Sequence, residues 1–105
     1  MFAALPALAD PTRFQIVDLL GAGERSAGEI ERALNVSQPS ASKHLKVLRE
    51  AGLVRMRKDR QRRLYAIDPA PLAELDAWLG RYRSFWAQRL DALDTQLVRR
   101  RRESA

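Results

Sequence analysis

The stretch Ser37–Ala51, SQPSASKHLKVLREA, predicts a single helix with two different faces. Ser37 caps its N-terminus by accepting from backbone amides that lack an intrahelical partner, and Pro39 falls in the first turn, where a missing N–H costs little. Gly52 supplies the left-handed residue that stops it. Ala41, Leu45 and Leu48 recur at i, i+4 and i+7, a stripe that faces a core. Gln38, Ser42, Lys43 and Lys46 project elsewhere, with no acid among them. Small hydroxyl and amide groups beside lysine reach base edges and phosphates without steric bulk, as reading of a DNA major groove requires. A solvated polar face is the competing reading of this helix taken alone; its neighbours decide between the two.

Upstream, Ser26 and Glu29 form an S-x-x-E capping box that opens a helix carrying Ala27, Ile30, Ala33 and Leu34 on one side. Asn35 takes the left-handed turn and Val36 plugs its interior, so residues 26–51 read as a helix-turn-helix whose second helix is the reading element. Further upstream, Asp10-Pro11 is an N-cap with proline at the first helical position. The helix it opens runs to Leu20 and draws its buried residues from Phe14, Ile16, Val17, Leu19 and Leu20. Phe2, Leu5 and Leu8 give the N-terminus a short apolar stripe. After Gly52 the period changes to two: Leu53, Arg55 and Arg57 alternate with Val54 and Met56, and Arg63, Tyr65 and Ile67 with Leu64 and Ala66. Two strands joined through Lys58–Gln61 make a β-hairpin over residues 53–67, in the position of a wing.

The distribution of charge supports this reading. The chain of 105 residues has a net charge of +6. Residues 1–52 carry six basic and six acidic side chains, whereas residues 53–67 carry six basic ones against Asp59 alone. So many like charges on one hairpin repel each other unless an anion neutralises them, which makes the wing the footprint of a polyanion contact. Its Arg and Lys side chains, Arg57, Lys58, Arg60 and Arg62, would follow phosphates or enter the minor groove while the helix occupies the major groove.

Asp68-Pro69-Ala70-Pro71 starts a final helix that reaches about Arg99, roughly 45 Å at 1.5 Å per residue. Leu72, Leu75, Leu79, Tyr82, Trp86, Leu90, Leu93 and Leu97 follow an alternating 3/4 spacing, with Trp78 and Phe85 broadening the stripe. One small domain cannot cover that much apolar surface, and the same helix of a second subunit related by a two-fold axis would. The expected dimer face comprises Leu5, Leu72, Leu75, Leu79, Tyr82, Trp86, Leu90 and Leu93, on helices within residues 1–9 and 68–100. Two alternatives stay open: the aromatic residues line a small-molecule pocket, or Gly80 divides the helix in two. The Arg99–Arg102 run suits the helix C-terminal dipole.

Other classes find little support. Cysteine is absent, which excludes disulfides, thiolate metal sites and a cysteine nucleophile. No apolar run approaches the roughly 20 residues of a membrane span, and the N-terminus lacks the basic region of a secretory signal, so a cytoplasmic location is expected. The one histidine, His44, flanks the buried stripe of its helix, where packing or a phosphate contact is expected of it. Ser42 and His44, two apart on a helix, point away from each other and cannot act as nucleophile and base. Gly21, Gly23 and Gly28 lack both the spacing and the preceding strand of a dinucleotide loop. No enzyme activity, cofactor or metal is expected. The serious rival is a winged-helix module that binds protein or structured RNA without reading an operator.

Taken together, ALADPTRFQIVDLL, SAGEIERALNVSQPSASKHLKVLREAGLV and VRMRKDRQRRLYAI resemble the ArsR-type winged-helix repressors over residues 4–67, the string SKHLKVLREAGLV being specific. The resemblance implies a single winged-helix domain over residues 1–105, mainly α with a small β-hairpin and a long C-terminal dimerisation helix. It implies a homodimeric, cytoplasmic bacterial repressor of a palindromic operator in double-stranded DNA, with Gln38, Ser40, Ser42, Lys43 and Lys46 at the major groove. YRSFWAQRLDAL is similar to a subgroup in which metal sensing is not the rule. The Cys-x-Cys of metal-sensing members is replaced around Gly28, Glu29 and Ile30, and the last helix offers Asp91 and Asp94 without histidine, a weak set for transition metals. Arg60 stands where the family's wing tip often has glycine. An effector, whether small molecule or protein, is not identified by any residue.

Overall fold

In a computed structural model that describes residues 4–104, and side chains up to residue 97, the elements follow in order α1 (Leu5–Leu8), α2 (Pro11–Leu20), β1 (Arg25–Ser26), α3 (Ala27–Leu34), α4 (Gln38–Glu50), β2 (Val54–Asp59), β3 (Arg62–Ile67), α5 (Pro69–Gly80) and α6 (Arg83–Ser104). Phe2 and the side chains of Arg99–Arg102 lie outside the described residues. Contacts divide the chain into two compact units, Met1–Glu74 and Leu75–Ala105.

Side-chain caps fix the helix starts in the first unit. Asp10 Oδ1 accepts from the amides of Thr12 and Arg13 at 2.8 and 3.1 Å. The Ser26–Glu29 box is reciprocal, at 3.2 Å from the Glu29 amide to Ser26 Oγ and 3.1 Å from the Ser26 amide to Glu29 Oε1. Ser37 Oγ accepts from the Ser40 amide at 3.3 Å. Asn35, at φ 53°, ends α3, and Gly52, at φ 77°, follows the last turn of α4. In this left-handed conformation a Cβ crowds the following carbonyl, which asparagine tolerates and glycine avoids.

Between these punctuation marks the apolar stripes converge. Ile16, Leu20, Ile30, Leu45, Leu48, Leu53, Val54 and Tyr65 form the buried core with Ala7 of α1, and Leu72 of α5 packs on its edge. Each large aliphatic side chain so buried contributes roughly 1.5–3 kcal/mol. Phe14, a core candidate in the sequence, is 58% exposed. Ile16 and Leu20, one turn apart, turn the apolar face of α2 inward, and Phe14 lies two residues, about 200°, round the helix from Ile16. In α1 the buried residue is Ala7, while Leu5 is exposed.

The expected hairpin has a third strand. β3 lies between β1 and β2, antiparallel to both, with Ser26 opposite Leu64 and Arg57 opposite Leu64 on the other side. Val54, Met56, Tyr65 and Ile67 share the face that meets the core; Arg55, Arg57, Leu64 and Ala66 share the opposite one.

The C-terminal stripe is divided, as the two-helix alternative has it. After Gly80 the amides of Arg81 and Tyr82 bond the carbonyls of Trp78 and Leu79, three residues back, and α6 restarts with the Trp86 amide on the Tyr82 carbonyl. Asp76 and Arg83 pair across the break. Trp78 and Tyr82 meet in a tilted contact at 5.0 Å between ring centroids, and Arg89 sits over the Phe85 ring at 4.5 Å. No helix of the described residues is long and apolar enough to cross a membrane.

Candidate nucleic-acid interface

The core fixes which way α4 presents its polar side. With Ala41, Leu45 and Leu48 buried, Gln38, Ser42, Lys43 and Lys46 are exposed, and Ser40 is half-buried with its amide engaged in the cap. Of the four exposed groups Gln38 lies in the first turn, where the N-terminal end of the helix dipole adds favourable potential for phosphate.

His44 sits on the border between the two faces, and its surroundings are specific. Its Nδ1 lies 3.4 Å from an Arg13 guanidinium nitrogen and 4.0 Å from Asp10 Oδ1, while Arg13 Nε donates to the Ala7 carbonyl at 2.7 Å. The amides of Arg13 and Thr12, and the charges of Arg13 and His44, hold the Asp10 carboxyl below the usual carboxylate range. This cluster joins the middle of α4 to α1 and the start of α2. His44 thus faces Arg13 and Asp10 of the neighbouring helix rather than the exposed row of α4.

The wing is a tight hairpin. Asp59 pairs with Arg62, leaving Arg60 and Gln61 as a two-residue loop. Only Arg60 of these has positive φ, at 60°, in the left-handed region that glycine adopts most readily. All residues from Arg57 to Arg63 are exposed. Between the wing, α3 and the start of α4 runs an open cleft of about 750 Å³, lined by Gln38, Gln61, Arg62, Arg63 and Arg32 together with the acids Glu29 and Glu31.

The structure treats the wing cations unequally. Among the described residues, Gln38, Ser42, Lys43, Lys46, Lys58, Arg60 and Arg63 form no side-chain hydrogen bond or ion pair. Arg57, by contrast, makes a two-pronged bond to Glu24, at 2.9 Å from Nε and 2.7 Å from a terminal nitrogen. That bond holds the Glu24 carboxyl below, and the Arg57 guanidinium above, their ordinary ranges. Arg62 approaches Glu29 at 3.8 Å. The Glu29 carboxyl is likewise lowered, chiefly by the Ser26 amide and hydroxyl of the capping box, with smaller help from Arg25 and Arg62.

Arg63 is absent from the set picked out in the sequence, yet it stands beside Gln38 and Ser42 at the junction of wing and helix. The period of two held the clue, since Arg63 shares the face of Tyr65 and Ile67 that turns toward the helices. Of the expected dimer face, Leu72 is partly covered by the core of its own unit and Leu75 is half-buried. Leu5, Leu79, Tyr82, Trp86, Leu90 and Leu93 are exposed. Asp91 and Asp94 are on α6, and among the described residues no three His, Asp or Glu side chains are gathered as a metal-holding group.

Comparison with known proteins agrees with this geometry. A family model described as a helix-turn-helix domain matches residues 8–57. The HTH-type transcriptional regulator Rv2034 of Mycobacterium tuberculosis is 47% identical over 87 residues, 83% of this chain and 78% of that protein. The transcriptional repressor SdpR of Bacillus subtilis is 36% identical over 70% of this chain and 81% of its own length. Among solved structures, an ArsR-like transcriptional regulator from Rhodococcus sp. RHA1 superposes with a TM-score of 0.69 at 33% identity, covering 87% of this chain and 86% of that one. The homodimeric winged helix-turn-helix DNA-binding domain of Mb0332 from Mycobacterium bovis gives a TM-score of 0.65 at 34% identity, covering 78% and 76%.

Proposed function

The chain belongs to the ArsR family of winged helix-turn-helix transcriptional regulators, and on that footing we propose that it is a homodimeric repressor of a palindromic DNA operator, regulated without a metal. The observation that carries the reading is the row of exposed, unpartnered polar and basic side chains running from α4 onto the wing. Gln38, Ser42, Lys43 and Lys46, with Ser40 at the cap, enter the major groove, where Gln38 and Lys43 read bases. Lys58, Arg60 and Arg62 follow the backbone or the minor groove.

The second copy covers the exposed stripe Leu79, Tyr82, Trp86, Leu90 and Leu93, aided by Leu5. A two-fold dimer presents its two α4 helices to successive major grooves about one turn, or a multiple of it, apart, which is why the operator is a palindrome. The homodimeric Mb0332 domain, of like fold, supports this assembly. Asp91 and Asp94, with neither histidine nor cysteine nearby in sequence, are a poor transition-metal pair, which leaves a small ligand, a protein effector or protein concentration alone to govern release from DNA.

The test is selection from random duplex DNA at near-physiological salt, followed by titration of the selected site. A recovered palindrome, bound with a slope of log K against log salt of about −7 for on the order of eight neutralised phosphates, is the expected result. A slope shallower than about −2 contradicts the phosphate contacts. Tight binding without a sequence pattern demotes α4 to an architectural role, and no retention favours a protein-docking module. Trp86→Asp places a charge in the seam and should give a monomer in light scattering; a persisting dimer would move the interface elsewhere.

A further inference from the structure

We infer that Arg57 is a positioning residue of the wing, held by Glu24 across the full width of the sheet, and that its charge is not among those that meet phosphate. The inference rests on the DNA-binding reading above and deepens it, separating the wing's cations into those that bind and one that aims them.

Sheet order makes the geometry unusual. Glu24 immediately precedes β1 and Arg57 lies on β2, with β3 between them. Adjacent strands are about 4.8 Å apart, so a bond from one edge to the other bridges roughly 10 Å. Only two long side chains meeting halfway can do this, and the fork between Arg57 and Glu24 does so with both prongs under 3 Å. In register, Ser26, Leu64 and Arg57 stand side by side on the face turned away from the core. Leu64 is only 5% exposed there although it is no member of the core cluster. The arginine stem and Glu24, which line the same shallow depression as Leu64 and Ala66, account for that cover.

A planar guanidinium already occupied by both oxygens of a carboxylate is poorly placed to exchange that partner for phosphate, because the pair is matched in shape as well as charge. Lys58 and Arg60, the next cations toward the tip, have no such partner. The fork therefore ties the stem of the hairpin to the loop before β1 and leaves the tip to project. Its effect on DNA runs through the residues beyond it.

The experiment is a double-mutant cycle on one fixed duplex, read at several salt concentrations, with circular dichroism confirming that each protein is folded. Arg57→Met keeps the aliphatic cover and removes the fork. On the wild-type background it should weaken binding, because the tip cations it positions meet phosphate less well. On a Lys58→Ala/Arg60→Ala background it should cause no further loss and leave the salt slope unchanged, since the groups it positions are gone. Glu24→Arg combined with Arg57→Glu rebuilds the fork with its ends exchanged and should recover wild-type affinity. A direct phosphate contact would instead reduce the slope by about 1.8 per dimer even on the Lys58→Ala/Arg60→Ala background, add its loss on both backgrounds, and leave the exchanged pair as weak as Arg57→Glu alone. Either that pattern or unchanged affinity of Arg57→Met overturns the assignment. Wild-type protein with no salt-dependent affinity overturns the DNA-binding reading itself, and this inference with it.

Discussion

The two units use the same kinds of apolar residue to opposite ends. In Met1–Glu74, leucine, isoleucine and valine stripes from three helices and two strands meet each other, and Ile16, Ile30, Leu45, Leu48 and Leu53 have at most 1% of their surface left. In Leu75–Ala105, Leu79, Tyr82, Phe85, Trp86, Leu90, Leu93 and Leu97 all keep 40–60% of theirs. Hydrophobicity alone therefore does not distinguish a core from a surface awaiting cover. The difference is whether a second stripe exists in the same chain at the right place, and a row of exposed large apolar residues on one helix marks an interaction site.

Truncations in the two units should separate most sharply. Leu48→Ala leaves a cavity in a closed core and should cost about 2–5 kcal/mol by chemical denaturation, at any protein concentration. Leu93→Ala should show its loss only where the second copy is bound, so that its effect on the melting midpoint fades on dilution. Equal, concentration-independent losses at both sites would erase the distinction. Smaller backbone changes probe the same contrast. Gly52→Ala meets no atom within 4 Å, yet it places a Cβ at φ 77° and should cost roughly 1–2 kcal/mol in the first unit. Gly80→Ala, equally free of neighbours and not at positive φ, should stabilise the second unit by up to about 1 kcal/mol, seen as added helicity.

The smallest effect expected is on pH. Asp10, Glu24 and Glu29 all have carboxyls lowered by their partners in the fold. Such groups stabilise above their unfolded values, which are 3.8 for aspartate and 4.5 for glutamate, and the gain is lost as pH falls through the lower folded values. Stability of the first unit should thus decline on acidification below about pH 4.5, and Glu24→Gln should flatten the decline; because the groups remain open to solvent at least in part, the change is modest.

Legibility in the sequence followed separation along the chain. The caps at Asp10, Ser26 and Ser37, the turn at Asn35 and the stop at Gly52 could be read because each acts on amides or dihedrals within a few residues. The helix α4 and the basic hairpin followed from period and charge. What escaped was non-local. β1 is two residues long and exists only through its pairing with Leu64 and Tyr65. The approach of Arg13 to His44 and the Glu24–Arg57 fork join residues 31 and 33 apart. Phe14 misled because α2 carries apolar residues on several sides, so its pattern alone does not choose a face.

The hairpin tip carries a compromise between robustness and activity in one residue. Arg60 holds a backbone conformation that disfavours any side chain with a Cβ by roughly 1 kcal/mol, where glycine would rest without strain. Arg60→Gly should therefore raise the melting temperature while weakening DNA binding. On the proposed reading of the wing, a variant chosen for heat resistance alone would drift toward glycine there and bind DNA less tightly, so breeding a hardier form of this regulator requires that stability be gained at other positions.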